Sequence, residues 1–80
     1  MRFYFNEIDG VLKVDDEGLE LADLAAARIA AVKYAAEVMH DHPTLIWTGQ
    51  DFRIEVTDGE GLILCTVVVV GVDSPATRGR

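Results

Sequence analysis

Fourteen acidic against seven basic residues in a chain of eighty give a net charge of −7, a field that repels phosphate and excludes nucleic acid as an expected partner. A chain of this length makes one domain that buries only about 60% of its unfolded surface, and its single cysteine, Cys65, rules out an internal disulfide to support a small core. Half of the residues are hydrophobic, so part of the apolar surface is expected to meet another chain.

Arg2 to Ile8 is rich in aromatic and β-branched residues and reads as a first strand. Phe3 and Phe5 share the face expected to enter the core, and Tyr4, Asn6 and Ile8 share the other. Asp9-Gly10 then signals a hairpin into a second strand, Val11 to Val14, because a tight turn needs the positive φ that these residues tolerate. Asp15-Asp16-Glu17-Gly18 is an acidic turn without the ligand spacing of an EF-hand loop, and it reads as a solvated turn. Leu19-Glu20-Leu21 forms a short extended lead into the next element.

Leu21 to Asp41 is the one long helix signal. Asp23 fits the N-cap, since its carboxylate can accept the free N–H groups of the first turn. Leu24, Ala27, Ala31, Ala35 and Val38 line one stripe, which Ile29, Val32, Ala36 and Met39 widen into a broad apolar arc. Arg28 falls inside that arc, where it is either a structural ion pair, a long side chain whose head reaches water, or an anion site. Pro43 ends the helix, and 42–51 shows no period; Trp47 there either plugs the end between helix and sheet, the commoner fate of an isolated tryptophan, or sits exposed as an interaction anchor.

Phe52, Ile54 and Val56 alternate with Arg53, Glu55 and Thr57 in a half-buried third strand. Asp58-Gly59-Glu60-Gly61 turns the chain into a fourth strand, Leu62 to Val70, that is apolar on both faces. One face would cover the helix, and the other, assigned to Ile63, Cys65, Val67 and Val69, would need a second cover. The expected fold is α+β, a ββαββ arrangement with a four-stranded antiparallel sheet and one helix packed on one face. It forms a single domain over 1–72, followed by a disordered tail over 73–80.

No residue set suggests catalysis, a cofactor or a metal. His40-Asp41-His42 with Cys65 has ligand chemistry, but residues two apart diverge on a helix and Cys65 sits in an apolar strand. The protein is therefore expected to be a non-enzymatic interaction module, a homodimer joined through the apolar face or edge of its sheet. The alternative is a small-molecule or anion-binding regulatory domain using Arg28 with Tyr34 and Trp47. Membrane association is not expected, because Thr66 and Gly71 break the longest apolar run, Leu62 to Val72, which is too short to span a bilayer. A lone thiol and the lack of a secretory signal point to the cytoplasm.

The segments FYF, DDEGLELADL, AAARIAA and FRIEVTDGEGLIL, spread from Arg2 to about Val68, resemble DUF6894, a domain of unknown function in short proteobacterial proteins. The matching positions are Asp16 or Glu17 with Gly18, then Leu21, Asp23, Leu24, Ala27 and Arg28, and in the second hairpin Arg53, Ile54, Val56, Asp58 and Gly61. Gly59 and the run Val67 to Val70 depart from the family pattern. The resemblance implies a fold and no activity. Asp23-Leu24 and the alanine-rich helix also resemble antitoxin-type domains, which implies a protein partner; the DNA-binding element of such proteins is not present in these residues.

Overall fold

A computed structural model describes residues 1–49 and 51–77 of the protein. Five strands and one long helix follow one another as β1 (Arg2–Ile8), β2 (Leu12–Lys13), β3 (Leu19–Glu20), α1 (Leu24–Asp41), β4 (Phe52–Thr57) and β5 (Ile63–Val69), with 3-10 turns at Leu45–Trp47 and Pro75–Thr77. All pairings are antiparallel, in the order β2-β1-β4-β5, with β3 also on β1. The class is the expected α+β, and the fifth strand is Leu19–Glu20, read from sequence as an extended lead.

Alternation decides the core. Phe3 and Phe5 of β1 face the helix beside Phe52, Ile54 and Val56 of β4, all of them buried. The helix contributes Ala27, Ala31 and Ala35, four residues apart, so its backbone lies close on β4 and β5. Asp23 caps it as expected, accepting the Ala26 N–H at 2.9 Å. His42 N–H bonds to the Val38 carbonyl at 2.8 Å, and Pro43 follows, closing the helix.

The outer edge of β1 carries a broken strand. Had the β2 register, Glu7 opposite Lys13, continued, Arg2 would face Gly18; it faces Glu20 instead. The acidic turn absorbs the two extra residues as a bulge, and Asp15 fills the gap in the ladder. Its Oδ2 accepts the Phe5 N–H at 3.1 Å, and its Oδ1 accepts the Glu17 and Gly18 N–H groups at 3.0 Å each. The Asp15 N–H in turn donates to Asn6 Oδ1 at 2.9 Å. The turn is thus a plug for an edge strand rather than a merely solvated loop.

Burial pulls the Asp15 carboxyl upward, but the N–H groups of Gly18, Phe5 and Glu17, with the Arg2 charge, outweigh it and hold the group below the ordinary 3.8. A lowered folded-state value contributes stability above the unfolded value, and that stability is lost as pH falls through the folded one. Wild type should therefore be more stable than Asp15→Asn in urea melts at about pH 7, and the gap should narrow at about pH 3. A gap that widens in acid would contradict this.

Three sequence expectations are corrected. The broad helical arc is narrower than expected: Ile29 and Val32 are 59% and 57% exposed, because the alanine stripe alone meets the sheet. Trp47 is 55% exposed and does not plug the core; its ring lies on the backbone of Gly71, where an added Cβ would sit 2.8 Å from it. On β5 the register sets Cys65, Val67 and Val69 opposite Val56, Ile54 and Phe52, so they pack on the helix side against the core and not on an open face. Of the predicted interface set only Ile63 is exposed. The expected disordered tail contains a described turn, in which Ala76 N–H donates to Ser74 Oγ at 3.2 Å; Arg78 to Arg80 lie outside the described residues.

Candidate functional site

Two places on the molecule have the makings of a site. The first is a cleft of about 560 Å³ between α1 and the β1–β2 hairpin, lined by Glu7, Asp9 and Lys13 below and by Tyr34, Glu37 and Asp41 above, with Val38, His42 and Leu45 completing it. Glu7 stands in phase with Phe3 and Phe5 on β1 and is therefore carried inward, only 6% exposed. A buried carboxylate needs donors. Lys13, directly opposite on β2, supplies one from Nζ to Oε2 at 3.3 Å, and the Tyr34 hydroxyl supplies another to Oε1 at 3.1 Å. Burial, the Glu7 charge and this hydrogen bond raise the Tyr34 phenol above its ordinary 10.0.

These bonds tie the first hairpin to the middle of the helix. Glu7 was missed in the sequence reading, although an acid in phase with two core phenylalanines is the signal that finds it. The cleft is acidic, but its one deeply buried carboxylate already holds two donors. Its geometry therefore accounts for a clamp between layers.

The second place is the free edge of β5. This strand ends the sheet and pairs only with β4. From Gly61 to Val72 there is no charged residue, and Leu62, Ile63, Val68, Val70 and Val72 are all exposed. Long, uncharged edges are normally blunted by lysine, proline or a bulge, and the β2–β3 edge has such a bulge. The β5 edge has neither lysine nor proline over Ile63–Val69, and its one irregularity is a register shift at Leu64, where Cys65 pairs with Val56 but Ile63 pairs with Thr57.

The helix carries a second apolar strip. Tyr34, Glu37, Val38 and Asp41 turn one flank of the helix toward the β1–β2 cleft. Ala25, Ile29, Val32 and Ala36, spaced i, i+4, i+7, i+11, lie on the side of the helix away from the alanine stripe that meets the sheet, and all four are exposed.

The remaining predicted residues do not converge. Arg28 is exposed, has no hydrogen bond or ion pair among the described residues and lines none of the cavities described here, so of its three readings the side chain whose head reaches water is the one that fits. Tyr34 belongs to the cleft, and Trp47 lies against Gly71. His42 lines the cleft while Cys65 packs beside the core, and among the described residues no group of three His, Cys, Asp or Glu side chains is arranged to hold a metal ion. Among the same residues no helix is long and apolar enough to cross a membrane.

A thin single-helix α+β domain with one plugged and one uncharged sheet edge is the class this architecture defines. The chain belongs to the family described as domain of unknown function DUF6894, whose pattern matches residues 2–70. No similar curated protein and no similar solved structure was found.

Proposed function

We propose that the protein is a small non-enzymatic interaction module that self-associates through the β5 edge, working as a homodimer in the cytoplasm. The observation that carries this reading is the contrast between the two edges of one sheet: Asp15 fills the gap on the β2–β3 side, and the β5 side pairs only with β4 and carries no charge from Gly61 to Val72. A chain with a net charge of −7 repels its own copies everywhere except where charge is missing, and the β5 edge is such a place. The apolar content fits as well. Among the described residues fourteen large hydrophobic side chains are exposed against eight hydrophobic residues buried, an imbalance that association relieves.

Sedimentation at micromolar concentration should show a dimer, and a clean monomer would end this reading. Two neighbouring substitutions separate edge from core. Val68→Lys, at a residue 54% exposed, should yield a folded monomer with an unchanged circular dichroism spectrum. Val67→Lys, which buries a charge beside Ile54, should unfold the chain at a cost of several kcal/mol. Equal behaviour of the two variants would mean that the faces of β5 are not divided in this way.

A further inference from the structure

We propose that Asp9-Gly10, at the tip of the first hairpin, is a site of spontaneous covalent modification: the Asp9 side chain closes onto the Gly10 nitrogen and reopens as isoaspartate, while the chain's second Asp-Gly step, Asp58-Gly59, is held against the same reaction. The inference is independent of self-association. Asp-Gly suits this chemistry because glycine puts no side chain beside the attacking nitrogen and leaves the backbone free to turn. The Gly10 nitrogen bonds to Asp9 Cγ, closing a five-membered ring, and a Cγ–O bond breaks; the oxygen leaves as water with the amide proton and the carboxyl proton. Water then opens the ring at the former main-chain carbonyl, so that the chain continues through Cβ and Cγ of Asp9 and its mass is unchanged. Water is the only co-reactant, and nothing is oxidised or reduced.

The two steps differ in what holds them. Asp58 Oδ1 accepts the Glu60 N–H at 2.9 Å and the Leu62 N–H at 3.0 Å. The Asp58 N–H donates to the Leu62 carbonyl at 3.1 Å, and the Gly61 N–H donates to the Asp58 carbonyl at 3.2 Å. Carboxylate and backbone are thus fixed together, between strands of six and seven residues. Cyclisation there must first release the carboxylate. Asp9 has no such restraint. Among the described residues its carboxylate accepts no hydrogen bond and forms no ion pair; Lys13, the one lysine of the cleft, is bonded to Glu7 instead. The Gly10 N–H has no acceptor among the same residues, and the Asp9 N–H reaches the Val11 carbonyl only at 3.3 Å. β2 pairs with β1 through two residues, and Gly10, Val11 and Leu12 are exposed, so this turn opens easily and water reaches it. Isoaspartate adds one methylene to the main chain between β1 and β2 and so moves Lys13 out of line with Glu7, loosening the clamp on the helix.

The test ages the folded protein for weeks in neutral buffer, then digests it with trypsin, which puts Asp9 and Asp58 on separate peptides. Electron-transfer fragmentation distinguishes isoaspartate from aspartate and places it. Isoaspartate should accumulate at Asp9 at least about tenfold faster than at Asp58, since each hydrogen bond to a charged group that must open first lowers the reactive population by about that factor. In unfolding urea the two rates should converge. Equal rates in the folded protein, or no isoaspartate at Asp9, overturn the proposal. So does a difference that persists in urea, which would put the cause in the neighbouring residues and not in the fold. Asp9→Glu should abolish the product on its peptide, and product that survives there would place the reaction elsewhere and overturn the assignment.

Discussion

Phe52→Ala should cost about 3–5 kcal/mol and leave the domain at or near its unfolding threshold in water at 25 °C. Phe52 is fully buried at the start of β4, opposite Val69 and within a core of eight residues. Three of those eight are alanines, whose side chains cannot swing into the hole, and the helix they belong to is held by Asp23 at one end and by the Tyr34–Glu7 bond near its middle. A domain of this size has about 4–12 kcal/mol in all, taken at about 0.05–0.15 kcal/mol per residue. Urea titration is the measurement, and a midpoint within error of wild type would show that the core does not depend on this ring.

Gly18→Ala should be nearly as damaging although it adds one methyl group at a partly exposed position. Gly18 has φ +72°, the left-handed region, and a Cβ there would lie 2.9 Å from both the Phe3 carbonyl oxygen and Tyr4 Cε1. The tyrosine ring can shift, but the carbonyl belongs to the central strand and cannot. Backbone strain of about 1–3 kcal/mol therefore combines with loss of the bond from Gly18 N–H to Asp15. At about 4–8 °C per kcal/mol for a domain this small, thermal unfolding should move down by roughly 10 °C. Gly61→Ala is the comparison, because φ is again positive but nothing lies within 4 Å of the added atom. Its smaller drop measures conformational strain alone.

What could be read from the residues was whatever local chemistry decides. The alternations Phe3-Phe5 and Phe52-Ile54-Val56 named the sheet core correctly, and Asp23 marked the first turn of the helix because an N-cap acts within three residues. The faces of β5 were not readable. Both are apolar, and a strand assigned one residue out of phase exchanges its two faces, so only pairing with β4 selects Cys65, Val67 and Val69 as inner. Asp15 escaped for a related reason: its partners Phe5 and Asn6 are nine or ten residues away and become neighbours only once the edge has folded. Arg28 lies at the margin of the alanine stripe, where a long side chain reaches water, and helical angle alone does not tell margin from centre. Trp47 rests on a glycine backbone more than twenty residues away, a contact that carries no hydropathy signal at all.

The plug at Asp15 bears on how far the proposed self-association could go. A sheet with two open edges can add copies at both, whereas one with a single open edge stops at two subunits. Asp15 occupies the N–H groups of Phe5, Glu17 and Gly18 on the β2–β3 side, so that side offers them to no further copy. An association that runs through β5, as proposed, is thereby capped at a pair.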